Sequence, residues 1–297
     1  LSGVALGTKL IRGLVASAGG SGLRGYHGAT NVQGEQVHEI DAEADEVLGE
    51  ILGSPGHFGL LVSEEREQVT TTAADREGAK YVVAFDPLDG SSNLGSNIPV
   101  GTIFSIWRKR DPQKAGSQDD FMQSGRALVA AGYAVYGAIT TFVYSSGEGV
   151  HSFVFDPAVG EFILSDEQLR TPPQGSVYSA NEGYTHRWDA RVRAFVERIK
   201  SSSSAKGGSY SARYTGSLVA DFDRNLRRGG VFLYPADDKS PQGKLRLLYE
   251  CIPLAFIAEQ AGGASTDGNQ SVLDILPTSI HQRIPFFVGS KTELSWL

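Results

Sequence analysis

Two short apolar runs early in the chain each stop at a pair of carboxylates, and a globular protein can accommodate that pattern in few ways. The first, Phe58-Gly-Leu-Leu-Val-Ser63, meets Glu64-Glu65. The second, Tyr81-Val-Val-Ala-Phe85, meets Asp86-Pro-Leu-Asp89-Gly90-Ser91-Ser92. Runs of this length and β propensity read as strands, the second buried on both faces, and Pro87 forbids simple continuation of a central strand. Asp86 is therefore expected at a strand's C-terminal end, where open α/β sheets place their ligands. If the two strands lie side by side, their carboxylates converge, an arrangement that is very costly unless cations neutralise it. Metal binding is the economical reading, because Asp86 and Asp89 offer hard oxygen donors suited to Mg²⁺ or Mn²⁺. Gly90-Ser91-Ser92 then supplies backbone N–H groups and hydroxyls, the donor set that cradles a phosphate. For the isolated motif the plain alternative is a turn in which Asp and Gly take their usual roles.

A chain of 297 residues with 40% hydrophobic and 21% charged side chains can bury a large core, as one big domain or two of ordinary size. The formal net charge of −7 argues against nucleic acid or an anionic membrane as the main partner. An anionic substrate would need local cations or metals to hold it against that field. The single cysteine, Cys251, excludes an intramolecular disulfide and fits a reducing, cytoplasmic compartment. It lies in the apolar stretch Cys251-Ile-Pro-Leu-Ala-Phe-Ile257 and reads as an inert buried thiol. No apolar run is long enough for a membrane span. The chain begins at Leu1 without methionine, so an upstream segment is expected.

In chain order, residues 4 to 18 carry helical apolar spacing, weakened by Gly7 and Gly13. Gly19 to Gly34 reads as a loop, and Val37 to Leu52 as an acidic amphipathic helix. Val100 to Arg110 alternates as a strand, Asp111 to Asp120 as a surface loop. Ala127 to Tyr136, Thr140 to Ser145, Val150 to Phe155 and Glu161 to Leu164 suggest an antiparallel meander. Thr171-Pro-Pro-Gln-Gly175 is the expected boundary between an N-terminal part, 1–170, and a C-terminal part, 171–297. Helices are expected at Trp188 to Lys200, Ser217 to Leu226 and Leu247 to Gln260, and a strand at Gly229 to Pro235. Lys239-Ser-Pro-Gln-Gly-Lys244-Leu-Arg246 gathers cations that could clamp an anion.

With these pieces placed, the chain resembles the fructose-1,6-bisphosphatase family, within the metal-dependent, lithium-sensitive sugar and inositol phosphatases. The likeness rests on Ser63-Glu-Glu, Phe85-Asp-Pro-Leu-Asp-Gly-Ser-Ser-Asn93, Val100-Gly-Thr-Ile-Phe104, Asn181-Glu-Gly-Tyr184, Ala212-Arg-Tyr-Thr-Gly-Ser217, Tyr234-Pro-Ala, the run from Lys239 to Cys251 and His281-Gln-Arg283. It implies a layered α/β/α/β/α sandwich, regulatory in its N-terminal half and sugar-phosphate-binding in its C-terminal half, assembled as a homotetramer.

By this likeness, Glu64, Asp86, Asp89, Glu250 and the Leu88 carbonyl would bind two or three Mg²⁺, or Mn²⁺ or Zn²⁺, with Glu35 reaching in from the loop. Asp41 and Glu65, beside Glu64, would position and deprotonate the attacking water. Gly90, Ser91 and Ser92 would hold the 1-phosphate. Asn181, Tyr184, Tyr214 and Tyr234 would hold the 6-phosphate, joined by Arg213 from a neighbouring subunit, while Lys244 and the Leu218 backbone would face the sugar. Of the family's AMP site, Lys80, Tyr81 and Arg108 are present, and its threonine-rich helix start lies upstream of Leu1. Three departures stand out: no cysteine between Arg108 and Gly132 for disulfide control, Asn93-Leu-Gly-Ser96 where many relatives read Asn-Ile-Asp-Cys, and Glu35 in place of the commoner Asp. The implied reaction is gluconeogenic, removing the 1-phosphate of fructose 1,6-bisphosphate. The alternatives are sedoheptulose 1,7-bisphosphate hydrolysis, inositol monophosphate hydrolysis, and a catalytically silent metabolite sensor.

Overall fold

The apolar runs assemble into one large sheet, and the remaining elements follow from the faces it leaves bare. The structure, a computed structural model, describes residues 1–21, 26–30, 36–54 and 56–297. Helix α1 (Ser2–Ser21) leads to a hairpin of β1 (Tyr26–Thr30) and β2 (Gln36–His38), then to α2 (Glu39–Gly53). Next come β3 (Phe58–Ser63), β4 (Thr70–Thr71), β5 (Tyr81–Asp89), β6 (Val100–Arg108), β7 (Leu128–Tyr136), β8 (Thr140–Ser145), β9 (His151–Asp156) and β10 (Glu161–Asp166). These eight form a sheet ordered β10-β9-β8-β7-β6-β5-β3-β4, in which only β3 and β5 run parallel.

The rest of the chain comprises β11 (Val177–Ser179), α3 (Ala190–Ser201), β12 (Ser211–Ala212), α4 (Leu218–Arg228), β13 (Val231–Tyr234), β14 (Leu245–Arg246), α5 (Ile252–Gln260), β15 (Ala264–Thr266), β16 (Arg283–Ile284), β17 (Phe286–Gly289) and α6 (Lys291–Leu294). A second sheet takes the order β12-β11-β13-β17-β15, and β14 pairs separately with β16.

Strand alternation assigns each face a partner. On β5, Val83 and Phe85 share a core with Ile40, Ala44 and Leu48 of α2, while Val82 and Ala84 face the opposite core with Leu248 and Leu254. That second core also takes Phe232, Phe286 and Val288 from the smaller sheet, so α4 and α5 lie between the two sheets. Helix α5 is apolar all round, and Ile252 to Ala258 are all buried, as a helix sandwiched between sheets requires. On the outer face of the small sheet, Val192, Phe195, Val196 and Ile199 of α3 pack against Val231, Leu233 and Phe287. The result is the layered α/β/α/β/α sandwich. Each fully buried Leu, Ile or Phe contributes roughly 1.5–3 kcal/mol, so the two inner interfaces dominate stability.

Four local expectations need correction. The stretch from Gly19 to Gly34 is not all loop: α1 continues to Ser21 and Tyr26–Thr30 pairs with Gln36–His38. Val37 belongs to that hairpin, so α2 starts at Glu39. Pro87 does not end its strand. β5 runs on to Asp89, because three steps from Asp86 to Asp89 face two from Ile103 to Gly101, a bulge that absorbs the missing proline donor. The Leu247 helix opens with a π-helical turn, Leu247–Cys251, before α5 begins.

Candidate metal and phosphate centre

The bulge and the π turn bring the acids together. β3 ends with Ser63 beside Phe85 of β5, and the Glu64 N–H donates to the Phe85 carbonyl at 3.2 Å. Glu64 therefore leaves the end of β3 beside Asp86, at which the bulge of β5 begins. The bulge is held from β6: the Thr102 hydroxyl donates to the Pro87 carbonyl at 2.8 Å and lies 2.7 Å from the Tyr136 hydroxyl. Inside it, the Leu88 N–H donates to Asp86 Oδ1 at 2.9 Å. The π turn from the C-terminal half supplies Glu250, whose Oε2 accepts the Arg246 N–H. Carboxylate oxygens of Asp86, Asp89 and Glu250 lie within 4.8 Å of one another, and all three residues are buried.

This crowding moves the protons. Burial, then Glu64, Asp89 and Glu250, drives the Asp86 carboxyl far above its ordinary range. Burial, then Glu64 and Asp89, does the same to Glu250 against the Arg246 charge. Asp89 is pushed up to about 7, burial outweighing the hydrogen bond from the Val219 N–H. Three clustered hard-oxygen donors that the protein alone cannot leave ionised fit a divalent cation of the Mg²⁺ or Mn²⁺ kind. Arg246, buried with its guanidinium 3.6 Å from Glu64, compensates part of the charge. One cation of the presumed anion clamp therefore faces carboxylates instead.

The phosphate-cradle motif abuts this cluster. Gly90 takes φ +78°, and Ser91–Ser96 winds as a 3₁₀ turn. A side chain at Gly90 would also stand 3.1 Å from Ser217 Oγ. Ser217, the residue before α4, is fully buried, and its hydroxyl has no hydrogen-bond partner among the described residues. Val219, in the first turn of α4, donates its N–H to Asp89 Oδ2 at 2.8 Å, and Leu218 sits beside it. Gly101 allows this approach, since a Cβ there would lie 2.1 Å from the Ala134 carbonyl and 2.8 Å from Val219 Cγ1.

The tyrosines expected at the distal phosphate also converge. Burial raises the Tyr214 phenol, which further feels Tyr234, Asp221, Tyr184 and Asp89. Tyr234 is raised by burial and feels Tyr184, Asp237 and Glu250. The aromatic group thus borders the acidic one. Asn181 caps the 3₁₀ turn that carries Tyr184. The Arg213 guanidinium is exposed and donates to the Ala212 carbonyl at 3.1 Å; Lys244 is exposed, its carbonyl accepting from Arg246 Nη1 at 3.1 Å. Asp41 is buried in the first turn of α2, which packs on β3 and β5, and Glu65 is half-buried after Glu64. Glu35 lies outside the described residues. Tyr81 and Arg108 are cross-strand partners with the guanidinium 5.6 Å from the ring, and Lys80 precedes them at the end of β5 far from the acids. Sequence reasoning missed the buried Asp221 and Asn225 and the half-buried Arg224 on α4, because the i,i+3 spacing of Asp221 and Arg224 looks like an ordinary helix-surface pair.

Comparison with known proteins places this architecture. The family model for the fructose-1-6-bisphosphatase N-terminal domain matches residues 1–167, and that for the C-terminal domain matches residues 171–297. The chain is 48% identical over 292 residues to fructose-1,6-bisphosphatase class 1 of Chloroherpeton thalassium, covering 98% of this chain and 83% of that one. It is 48% identical to the class 1 enzyme of Sorangium cellulosum over 99% of this chain and 84% of that one. The crystal structure of Leishmania major fructose-1,6-bisphosphatase superposes with a TM-score of 0.93 at 38% identity, covering 99% of this chain and 91% of that one. Family models spanning both halves, relatives near half-identical along almost the whole chain and a shared layered fold agree: this chain belongs to the fructose-1,6-bisphosphatase family.

Proposed function

We propose that the protein hydrolyses the 1-phosphate of fructose 1,6-bisphosphate, giving fructose 6-phosphate and inorganic phosphate, with Mg²⁺ as its cofactor. The observation that carries this reading is the buried carboxylate triad, within 4.8 Å, set against a left-handed glycine turn and an unpartnered buried hydroxyl. Asp86, Asp89 and Glu250, with Glu64 and the Leu88 carbonyl, would hold the ions, and Mn²⁺ or Zn²⁺ suits the same oxygens. Bound there, divalent metal polarises the phosphoryl oxygens and lowers the pKa of water. Asp41 and Glu65 orient that water and take its proton. Gly90, Ser91 and Ser92 fix the 1-phosphate, while the Leu218 backbone and Lys244 orient the sugar. Asn181, Tyr184, Tyr214 and Tyr234 grip the 6-phosphate, so binding energy from the far end of the substrate positions the reacting end.

The exposed Arg213 guanidinium supports a shared site in a homotetramer, in which it reaches a neighbouring subunit's 6-phosphate. Lys80, Tyr81 and Arg108, at the opposite end of β5, form the part of an AMP position that this chain contains. AMP titration against activity tests that assignment. Among the described residues no helix is long and apolar enough to cross a membrane.

The deciding experiment is phosphate release from fructose 1,6-bisphosphate, sedoheptulose 1,7-bisphosphate and inositol 1-phosphate, with and without Mg²⁺. Preference for the six-carbon bisphosphate and dependence on metal are expected. Faster turnover of the seven-carbon sugar would overturn the substrate assignment, and full activity in EDTA would overturn the cofactor.

A further inference from the structure

We propose that Arg224 is a positioning residue for the distal phosphate, holding the backbone on both sides of Tyr214 through a buried polar knot on α4. The inference rests on the substrate assignment above. Arg224 Nη2 donates to the Arg213 carbonyl at 2.7 Å, to Ser179 Oγ at 2.6 Å and to Asp221 Oδ1 at 2.6 Å. Asp221 in turn accepts the Thr215 N–H at 2.9 Å. Tyr214 is therefore pinned by its preceding carbonyl and its following amide, both to one turn of one helix. Asn225 Nδ2 donates to Ser179 Oγ at 2.9 Å, and Ser179 closes β11 two residues before Asn181. The same knot thus fixes the root of the second distal-phosphate segment.

An i,i+3 Asp–Arg pair on a helix surface contributes little and needs no further partners. This pair differs in two ways. Asp221, Asn225 and Ser179 are all buried, with Asp221 and Ser179 at 0% exposure, where polar groups ordinarily need partners; Arg224 and the Thr215 N–H supply them to Asp221, while Arg224 Nε and Asn225 Oδ1 have none among the described residues. Moreover, four of the bonds leave the helix for the two segments that carry Asn181, Tyr184 and Tyr214. Helix α4 is itself anchored to the large sheet, because Arg227 grips both Asp223 oxygens at 3.0 Å and donates to Ser152, while Tyr133 donates to Asp223 at 2.7 Å. Its first turn reaches Asp89 through Val219. One anchored helix consequently spaces the proximal acids from the distal phosphate grip.

The test uses the full chain with Arg224→Met and Arg224→Lys, and two ligands that each carry one end of the substrate. Fructose 6-phosphate keeps only the distal phosphate, and fructose 1-phosphate only the proximal one. For Arg224→Met the KM for fructose 1,6-bisphosphate and the inhibition constant of fructose 6-phosphate should both rise about tenfold, with kcat within about threefold and the fructose 1-phosphate constant unchanged. Arg224→Lys, which keeps the charge but not the planar reach, should recover part of the loss. If both inhibition constants move together, or neither moves, the inference is wrong. Should Arg224→Met fail to fold, the same split in Arg224→Lys decides, and equal shifts for the two monophosphates there would refute it. A wild-type protein inactive on the bisphosphate would refute the substrate assignment, and this inference with it.

Discussion

Asp89→Asn separates the electrostatic penalty of the acidic cluster from the use the cluster serves. In the metal-free protein Asp89 titrates at about 7, against 3.8 in the unfolded chain. Between those values the folded state holds a proton that the unfolded state has released. The Asp89 contribution to stability must then fall as pH rises from about 4 to about 7 and level off above, because the raised pKa reverses the usual carboxylate sign. At about 1.4 kcal/mol per factor of ten in the proton equilibrium, the rise from 3.8 to about 7 puts the loss on the order of 4 kcal/mol by pH 8. Asparagine has no charge to desolvate and can accept the same Val219 N–H through its amide oxygen. Urea unfolding in EDTA, repeated across this pH range, should show the variant gaining on the wild type steadily, by that order in total. Adding Mg²⁺ at pH 8 should narrow the gap, since a hundredfold excess over Kd stabilises the wild type by roughly 2.7 kcal/mol and the variant by less. A stability difference that stays flat with pH, or moves toward the wild type in EDTA, would refute the reasoning.

Other substitutions probe the supports of the site. Thr102→Val removes the hydroxyl that serves both the Pro87 carbonyl and Tyr136, so a loss of about 2 kcal/mol is expected in urea unfolding; under ~0.5 kcal/mol would mean the bulge stands without it. Gly101→Ala drives a methyl into the Ala134 carbonyl and Val219, and thermal unfolding should register at least ~3 kcal/mol or no folded protein. Lys109→Met strands the Asp75 carboxylate, now 2.5 Å from the ammonium with both side chains nearly fully buried; a loss of about 3–5 kcal/mol is expected. Adding Asp75→Leu to that variant should restore most of the loss, and a double variant no better than the single one would contradict the account.

How far the chain could be read without coordinates depended on whether a signal was local. The runs at Phe58 and Tyr81 announce themselves because strands buried on both faces need unbroken apolar sequence, and the adjacent acids follow directly. The apolar stretch from Cys251 to Ile257 likewise read as buried, and the structure buries it between the two sheets. Pro87 misled because its lost N–H is tolerated only through a bulge whose support, Thr102, lies on the next strand. The π turn was equally hidden, since Leu247 to Cys251 carries ordinary helical spacing and only the buried Glu250 carboxylate marks the place. The Asp221 knot failed for a third reason: at i,i+3, a buried pair and a solvated pair have identical sequence signatures.

These misses share a physical origin that bears on how the site works. Each is a polar group held by backbone or side chains that the local pattern does not reveal, and each sits where the acidic cluster or the distal grip must be held rigidly. A carboxylate cluster that resists ionisation pushes its own side chains apart, so its geometry must be imposed from outside by groups without net charge. Here the restraints are the Thr102 hydroxyl behind Pro87, the Val219 amide on Asp89 and the Arg246 amide on Glu250. All three come from elements packed in the layers around the site, two of them from the C-terminal half. The acids of β5 consequently depend on correct docking of α4 and the π turn. Conditions that loosen the contact between the two sheets should therefore weaken metal binding before they unfold either sheet.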